Sequence, residues 1–313
     1  MTSSKHTTDA SNAIAPDAET TLNPNILTVD VEDYFQVSGF EHRIKRSEWE
    51  ALPSRVEANT DRLLQLFEDC NVRGTFFVLG WVAHRNPELL RRIAAAGHEL
   101  ASHGYWHQLV YNLTPQQFRH DIRDSRSAIA DATGQAVNAY RAPSFSITAK
   151  SMWAFEILAE EGFTVDSSVF PIRHDRYGVP DGRQEIHERQ TAAGTIVEIP
   201  PSVALLGPLK IPVGGGYFRM FPIAMTMYAM RTIQNGQNPS MLYLHPWEVD
   251  PEQPRIAGVG FRSRFRHYIG LRRTEQRLKH VLQKFRFAPV CDVLKQWNDS
   301  EVAKTQSLRS IET

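Results

Sequence analysis

Two features of the sequence predict an α/β fold built around a parallel β-sheet. Short runs of β-branched and aromatic residues, such as 26–29 and 74–79, alternate with segments that have the apolar periodicity of amphipathic helices. In addition, polar side chains follow several of the apolar runs, at the strand ends where α/β folds place their ligand sites. We therefore predict alternating strands and helices in a parallel sheet, either open or closed into a barrel.

The predicted elements cover most of the chain. Strands are predicted at 26–29, 74–79, 98–101, 137–140, 163–165 and 240–244, with shorter extended pieces at 196–199 and 213–218. Helices are predicted at 55–70, 87–96, 114–133, 151–161, 225–234, 273–285 and 290–297, and a loop at 255–265. The helix at 114–133 has the clearest boundaries, with a Thr-Pro-Gln-Gln start and Gly134 after its last residue.

Composition and charge exclude several classes of protein. The chain is 42% hydrophobic and 22% charged with a formal net charge of zero, so nothing favours nucleic-acid binding. Residues 1–25 are polar and aperiodic, so we predict a disordered tail without a signal peptide. No apolar run approaches the roughly 20 residues of a membrane-spanning helix. We expect a cytoplasmic protein, and a peripheral position at the inner membrane remains open.

The spacing of two histidines suggests a metal site. His103 and His107 are four residues apart, which on a helix or a helical turn would place both imidazoles on one face, near enough to bind one ion. An acidic cluster at 30–33 follows the first predicted strand, and His245 follows the last. Because the carboxyl ends of parallel strands meet at one edge of the sheet, these groups are expected to converge. The pattern indicates a metal-assisted hydrolase.

The motifs and their order resemble those of the polysaccharide deacetylases, the NodB-homology or carbohydrate esterase family 4 group. The matching segments are TVDVED at 28–33, GTFF at 74–77, SHGYWH at 102–107, RAP at 141–143, VDSS at 165–168 and LHP at 244–246. Segments 29–35 and 244–248 further resemble the deacetylases found beside exosortase (PEP-CTERM) exopolysaccharide gene clusters.

This resemblance implies a distorted (β/α) barrel of the NodB type. It further implies a divalent metal, usually Zn²⁺, and removal of N-acetyl groups from N-acetylhexosamine units. A single deacetylase barrel is expected at 26–250, with a C-terminal helical extension at 251–313 packed on it.

The resemblance also implies a ligand set for the metal. His103 and His107 match the histidines of the second motif. The usual first motif has two adjacent aspartates, of which the first is the base and the second a ligand, but here Val31 follows Asp30. This departure points to Glu32 as the third ligand and leaves Asp33 as the alternative.

Four residues are expected to carry the proton chemistry. By the same resemblance, Asp30 is the general base and Arg141 pairs with Asp30 and orients it. His245 is the general acid that protonates the leaving amine, and Asp166 orients His245 or Arg141.

Aromatic side chains are the candidates for substrate binding because they can stack on sugar rings. Trp106, Phe145, Tyr217 and Trp247 are predicted to do so. The third motif departs from the family pattern, since Ser144 stands where an aromatic residue usually follows Pro143 and Phe145 comes one position later.

The leading hypothesis is a metal-dependent N-deacetylase that acts on an exopolysaccharide or its lipid-linked precursor. The expected partner is therefore an N-acetylated glycan or a lipid-linked oligosaccharide. Two alternatives remain open: an amidohydrolase of the same fold that opens a cyclic ureide or imide, and a catalytically inactive carbohydrate-binding barrel.

Overall fold

The computed structural model describes residues 23–207 and 209–311, and side chains as far as residue 300. The strands are β1 (Asn25–Val31), β2 (Thr75–Val78), β3 (Glu99–Ser102), β4 (Ala139–Tyr140), β5 (Val165–Asp166), β6 (His187–Thr191), β7 (Gly194–Glu198), β8 (Val203–Leu206), β9 (Leu209–Pro212), β10 (Met241–Leu244) and β11 (Phe287–Ala288). The α-helices are α1 (Val56–Asp69), α2 (Gly80–Arg85), α3 (Pro87–Ala95), α4 (Pro115–Thr133), α5 (Ala154–Glu160), α6 (Gly215–Met220), α7 (Ile223–Asn235), α8 (Phe261–Tyr268), α9 (Leu271–Leu282) and α10 (Val290–Ile311).

The main sheet has the strand order β10-β1-β2-β3-β4-β5-β7-β6. All neighbours along this path are parallel except the antiparallel pair β6 and β7, and β11 adds a short parallel pairing to the start of β1. In the described ranges, the hydrogen bonding does not close this sheet into a ring. These findings confirm the predicted α/β fold with a mostly parallel sheet.

Strand β1 is completely buried and separates the core from the site. Leu27, Val29 and Val31 point to one face and join the main hydrophobic core. Burying each of these side chains contributes about 1.5–3 kcal/mol to folding. Thr28 and Asp30 alternate with them, so they point to the opposite face. The same strand therefore anchors the core and carries polar groups to the site.

Helix α4 confirms the boundary signals in the sequence. The Thr114 side chain accepts a hydrogen bond from Gln117 N at 3.2 Å, and the Gln117 side chain bonds back to Thr114 N at 2.9 Å. Gly134 ends the helix in the left-handed conformation, with φ of 71°. This capping box satisfies two backbone N–H groups that the first helical turn would otherwise leave unpaired.

Two predicted elements were wrong. The piece expected to be extended at 213–218 contains helix α6, and the loop expected at 255–265 contains the start of helix α8. Gly214 and Gly215 have φ of 101° and 50°, and a Cβ atom on Gly214 would stand 2.4 Å from the ring of Tyr243. These glycines therefore allow close packing on β10, a tertiary cause that local sequence patterns do not reveal.

The C-terminal region is not only helical, because β11 pairs with Asn25 and Ile26 of β1. The proposed boundary at residue 250 stays a prediction. Of the tail predicted at 1–25, residues 1–22 lie outside the described part, while Asn25 is buried in β1. Within the described ranges, no helix has both the length and the apolar composition needed to span a membrane.

Candidate active site

Four strand ends bring the predicted site residues to one edge of the sheet. Asp30 and Glu32 lie at the end of β1 and His103 follows β3. Arg141 follows β4 and His245 follows β10. Since all four strands are parallel, their carboxyl ends open on the same side.

A cluster of one carboxylate and two imidazoles forms the centre of this edge. One candidate ligand atom from each of Glu32, His103 and His107 lies within 4.8 Å of those of the other two, and all three residues are buried. His103 Nδ1 donates to the carbonyl of Arg141 at 2.8 Å, which leaves Nε2 as an acceptor. Burial lowers the pKa of His103 to about 4, so its imidazole is neutral, the form that binds metal.

The buried polar atoms of this cluster fit a divalent cation. Glu32 Oε2 lies 2.7 Å from His107 Nε2, yet Glu32 Oε2 and His107 Nδ1 make no hydrogen bond. Buried polar atoms without partners are rare, and a cation would satisfy the carboxylate oxygen. Burial alone would raise the pKa of Glu32, but the neighbouring His107 outweighs it and holds the pKa below the usual range. Two histidines and one carboxylate are a donor set typical of catalytic zinc.

The two histidines converge through a loop and not through a helix, so the helical explanation of their spacing was wrong. Gly104 has φ of 72° and His107 has φ of 51°. The carboxylate of Asp121 on α4 accepts hydrogen bonds from Tyr105 N at 2.9 Å and Trp106 N at 3.1 Å. A Cβ atom on Gly104 would stand 2.6 Å from this carboxylate, so glycine is needed for the approach.

Asp33, the alternative ligand, has a structural role at the start of α1. Its Oδ2 accepts hydrogen bonds from Ser54 Oγ, Arg55 N and Val56 N at 2.7, 2.8 and 3.1 Å. These bonds satisfy N–H groups at the helix N-terminus, where a negative charge is also favourable. The carboxylate of Asp33 is therefore bonded to the start of α1, whereas that of Glu32 lies next to the two histidines.

Exchanging each of the two acids for its amide should separate these roles. We expect Glu32→Gln to weaken divalent-metal binding strongly, because it removes the only carboxylate charge of the cluster. Asp33→Asn should leave metal binding nearly unchanged and destabilise the fold by about 1 kcal/mol through the weakened cap. Competition with a chelator and thermal unfolding measure the two effects. A larger loss of metal from Asp33→Asn would reassign the third ligand.

Arg141 is fully buried and holds Asp30 in place. Its Nη1 donates to Asp30 Oδ1 at 2.6 Å and to Thr28 Oγ1 at 2.8 Å. Its Nη2 donates to Ser167 Oγ at 3.0 Å, and its guanidinium lies 4.2 Å above the ring of Phe77. This fixed guanidinium leaves Asp30 Oδ2 as the oxygen available for chemistry.

His245 belongs to a chain of charged groups that the sequence did not predict. Its Nδ1 contacts Glu248 Oε1 at 2.5 Å, and Glu248 Oε2 accepts from Arg219 Nε at 2.7 Å. Burial alone would lower the pKa of His245, but Glu248, Glu32 and Asp30 outweigh it and raise the pKa to about 9. His245 Nε2 points to the site, at 3.9 Å from Asp30 Oδ2 and 3.7 Å from Glu32 Oε1.

The structure does not place Asp166 against His245 or Arg141. Its carboxylate accepts hydrogen bonds from Ser168 N at 2.9 Å and Ser168 Oγ at 2.7 Å. Ser168 Oγ in turn accepts from Ala142 N at 2.8 Å, so Asp166 supports the backbone beside Arg141. Burial and the charge of Asp166 raise the pKa of the neighbouring Glu198 well above its usual value. Glu248, and not Asp166, is the hydrogen-bond partner of His245 Nδ1.

The four aromatic residues predicted to bind sugar occupy different environments. Phe145 is buried against Phe170 and Tyr243 at ring distances of 5.1 and 5.0 Å, so it belongs to the core. The backbone explains this position of the ring. Ser144 and Phe145 both have φ of 52°, and this left-handed turn brings the Phe145 side chain into the core.

The other three aromatic residues lie nearer to solvent or to the site. Trp247 is buried, donates from Nε1 to Glu32 Oε1 at 3.1 Å, and stacks on His245 at 5.0 Å. Trp106 is 37% exposed beside Trp49, with a ring distance of 6.2 Å. A groove lies between Tyr243 and Trp247 on one side and helix α8 on the other. Of the four aromatic residues, only Tyr217 and Trp247 line it.

Parts of the chain are similar in sequence to known deacetylases. The chain is 32% identical over 118 residues to the peptidoglycan deacetylase of Helicobacter pylori, which covers 36% of this chain and 38% of that protein. It is 30% identical over 100 residues to the chitooligosaccharide deacetylase of a Bradyrhizobium species, covering 32% and 43%. The chain therefore spans less than half the length of these curated relatives.

A solved structure shows the same fold. A candidate polysaccharide deacetylase of Mycobacterium smegmatis superposes with a TM-score of 0.59 at 20% identity, covering 94% of this chain and 96% of that one. Residues 167–295 match the model of a domain of unknown function, DUF3473, and residues 49–164 match that of the polysaccharide deacetylases. The resemblance of the motifs to the polysaccharide deacetylases is thereby confirmed, with residues 49–164 carrying the family match.

Proposed function

We propose that the protein is a metal-dependent hydrolase that removes N-acetyl groups from N-acetylhexosamine units of a glycan. The observation that carries this proposal is the buried cluster of Glu32, His103 and His107. His245 Nε2 lies beside it, 3.7 Å from Glu32 Oε1 and 3.9 Å from Asp30 Oδ2. The named activities of the H. pylori and Bradyrhizobium relatives support the same reaction class. An exopolysaccharide or its lipid-linked precursor is the proposed substrate, and Zn²⁺ the proposed metal.

The residues divide the proton transfers of amide hydrolysis between them. Glu32, His103 and His107 would hold the metal, which when bound supplies Lewis-acid polarisation of the acetyl carbonyl and the attacking water. Asp30, oriented by Arg141, accepts the proton of that water at Oδ2. His245 donates from Nε2 to the nitrogen of the departing amine, so the C–N bond breaks with release of acetate and a free amine.

Acetate release from N-acetylglucosamine oligomers tests this function. We expect one free amine for each acetate, loss of activity with a chelator and recovery on adding Zn²⁺. Asp30→Asn should keep its metal and lower the rate by about 10²–10⁴-fold, the usual contribution of a general base. Asn keeps the shape of the carboxylate but removes the charge partner of the buried Arg141. The loss therefore reports the proton transfer when thermal unfolding shows that the variant is folded at the assay temperature.

The alternatives give different results in this assay. Opening of a cyclic ureide or imide without acetate release would support the amidohydrolase. Oligomer binding with no turnover of either substrate in the metal-loaded protein would support the inactive binding barrel. Asp30→Asn at full rate would remove Asp30 from the role of base.

A further inference from the structure

A groove of about 470 Å³ opens beside His245. Tyr243 and Trp247 form its inner wall, with rings 6.2 and 5.0 Å from the imidazole of His245. Helix α8 forms its outer wall. Sites for small ligands have volumes of roughly 300–1,000 Å³, so the groove can hold a group next to the sugar unit at the metal cluster.

The charges along this groove are of one sign. In the described part of the chain, no carboxylate lines it, whereas four arginines do: Arg176, Arg219, Arg262 and Arg266. Two of them have carboxylate partners. Arg219 is paired with Glu248 at 2.7 Å, and Arg266 lies 3.5 Å from Asp175.

Arg176 and Arg262 remain without such a partner. Among the described residues, neither guanidinium has a carboxylate oxygen within 4.0 Å. Arg176 is partly buried, and its Nη1 lies 3.4 Å from the position that a Cβ atom would take on Gly39. A partly buried guanidinium that contacts no carboxylate, in a groove with several aromatic side chains, is stabilised by an anion that binds to it.

We infer that this groove binds an anionic group of the substrate through Arg176 and Arg262, beside the N-acetylhexosamine unit. This inference rests on the proposed function and narrows the substrate to an acidic glycan. The carboxylate of a uronate and the diphosphate that links a sugar to its carrier offer the same chemistry. Each presents paired oxygens that accept hydrogen bonds from a planar guanidinium.

A membrane surface fits the groove less well. Phe261 is 82% exposed and Phe265 is 47% exposed, so the rim of the groove also offers apolar side chains beside its arginines. An anionic bilayer would meet these side chains and Arg262 from outside. It would not reach Arg176, because that guanidinium packs against Gly39 inside the groove. A glycan chain can enter the groove that Arg176 and Arg262 both line.

Calorimetry on Asp30→Asn, the variant expected to bind without turnover, tests the inference. The probes are a neutral N-acetylglucosamine tetramer, an oligosaccharide that alternates N-acetylglucosamine with glucuronate, and N-acetylglucosamine 1-diphosphate esterified to a short prenol. We expect at least one acidic probe to bind about tenfold more tightly than the neutral one, the scale of a charge-assisted hydrogen bond. The acidic probe that binds more tightly shows whether the groove takes a uronate carboxylate or a diphosphate. Added salt should reduce the difference in affinity between the acidic and neutral probes.

The matched variants are Arg176→Gln, Arg262→Gln and Arg264→Gln in the same background. The first two should each lose most of the preference for the acidic probe while binding the neutral tetramer equally well. Arg264 lies on the same helix, is exposed and does not line the groove, so its variant should keep the preference.

Several outcomes would overturn the inference. Equal affinity for acidic and neutral probes would do so, as would equal losses in the Arg176 and Arg264 variants. Binding to anionic vesicles that Phe261→Ala removes, without preference among the oligosaccharides, would assign the rim to a membrane instead. Acetate release by the wild-type protein from the neutral tetramer is measured separately. Its absence would count against the proposed function, whereas the affinities alone decide the inference.

Discussion

Replacing His103 or His107 with alanine is expected to remove the bound divalent ion and abolish acetate release. Each change deletes one of three ligand side chains from a buried cluster that holds only one carboxylate. Loss of a group that merely orients a ligand costs roughly 10–100-fold in metal affinity, so loss of a ligand should cost more. Metal content after dialysis and competition with a chelator measure the effect.

A histidine away from the site provides the control. His84 lies exposed on α2, so His84→Ala should keep both metal and activity. Near-ultraviolet circular dichroism should show that the His103 and His107 variants remain folded, because neither change alters a side chain of the main hydrophobic core. Full metal retention in both variants would move the metal site elsewhere.

The convergence of the site residues could be predicted from the sequence for a simple geometrical reason. Asp30, His103, Arg141 and His245 each follow a short apolar run, and parallel strands bring all such positions to one edge. The prediction did not depend on the local conformation of each residue. It therefore holds although a loop, and not the expected helix, brings His103 and His107 together.

Contacts that sequence patterns do not reveal explain the parts of the site that the sequence did not predict. Asp33 caps a helix that begins more than twenty residues later, at Val56. Glu248 approaches His245 only because Pro246 begins a short 3₁₀ turn between them. Arg219, which completes the chain of charges, lies on a helix that the glycine-rich sequence did not indicate. None of these contacts follows from hydrophobic periodicity.

The C-terminal region is linked to His245 through Arg219 and Glu248. Its guanidinium donates to the carbonyls of His267 at 2.7 Å, Ile269 at 2.8 Å and Arg266 at 3.1 Å, while its Nε bonds to Glu248. His267 also stacks on Trp247 with a ring distance of 4.2 Å, and the guanidinium of Arg219 lies 5.0 Å from the same ring. The segment around α8 therefore fixes both the partner and the packing surface of His245.

Removing His245 or the charge of Glu248 should impair protonation of the leaving amine in distinguishable ways. His245→Ala should keep the metal and lower the rate by about 10²–10⁴-fold on amide substrates. The loss should be smaller on an activated anilide, whose leaving group needs little protonation. An equal loss on both substrates, or loss of the metal, would show that His245 is not the general acid.

Glu248→Gln keeps the side-chain shape but removes a negative charge 2.5 Å from His245. Because carboxylates raise the pKa of His245, this change lowers it, by roughly 1–3 units for a charge at such a distance. His245 acts when protonated, so activity falls as pH rises through this pKa, and the alkaline limb of the pH–rate profile should move to lower pH. A bound cation lowers the pKa of His245 in both proteins, so the direction of the difference between them remains.

Glu248→Gln also leaves Arg219 buried without its partner, which should destabilise the fold by about 3–5 kcal/mol. The double variant Arg219→Gln/Glu248→Gln should recover part of this stability while the limb stays shifted. An unshifted limb in both variants would mean that Glu248 supports the fold without tuning the general acid.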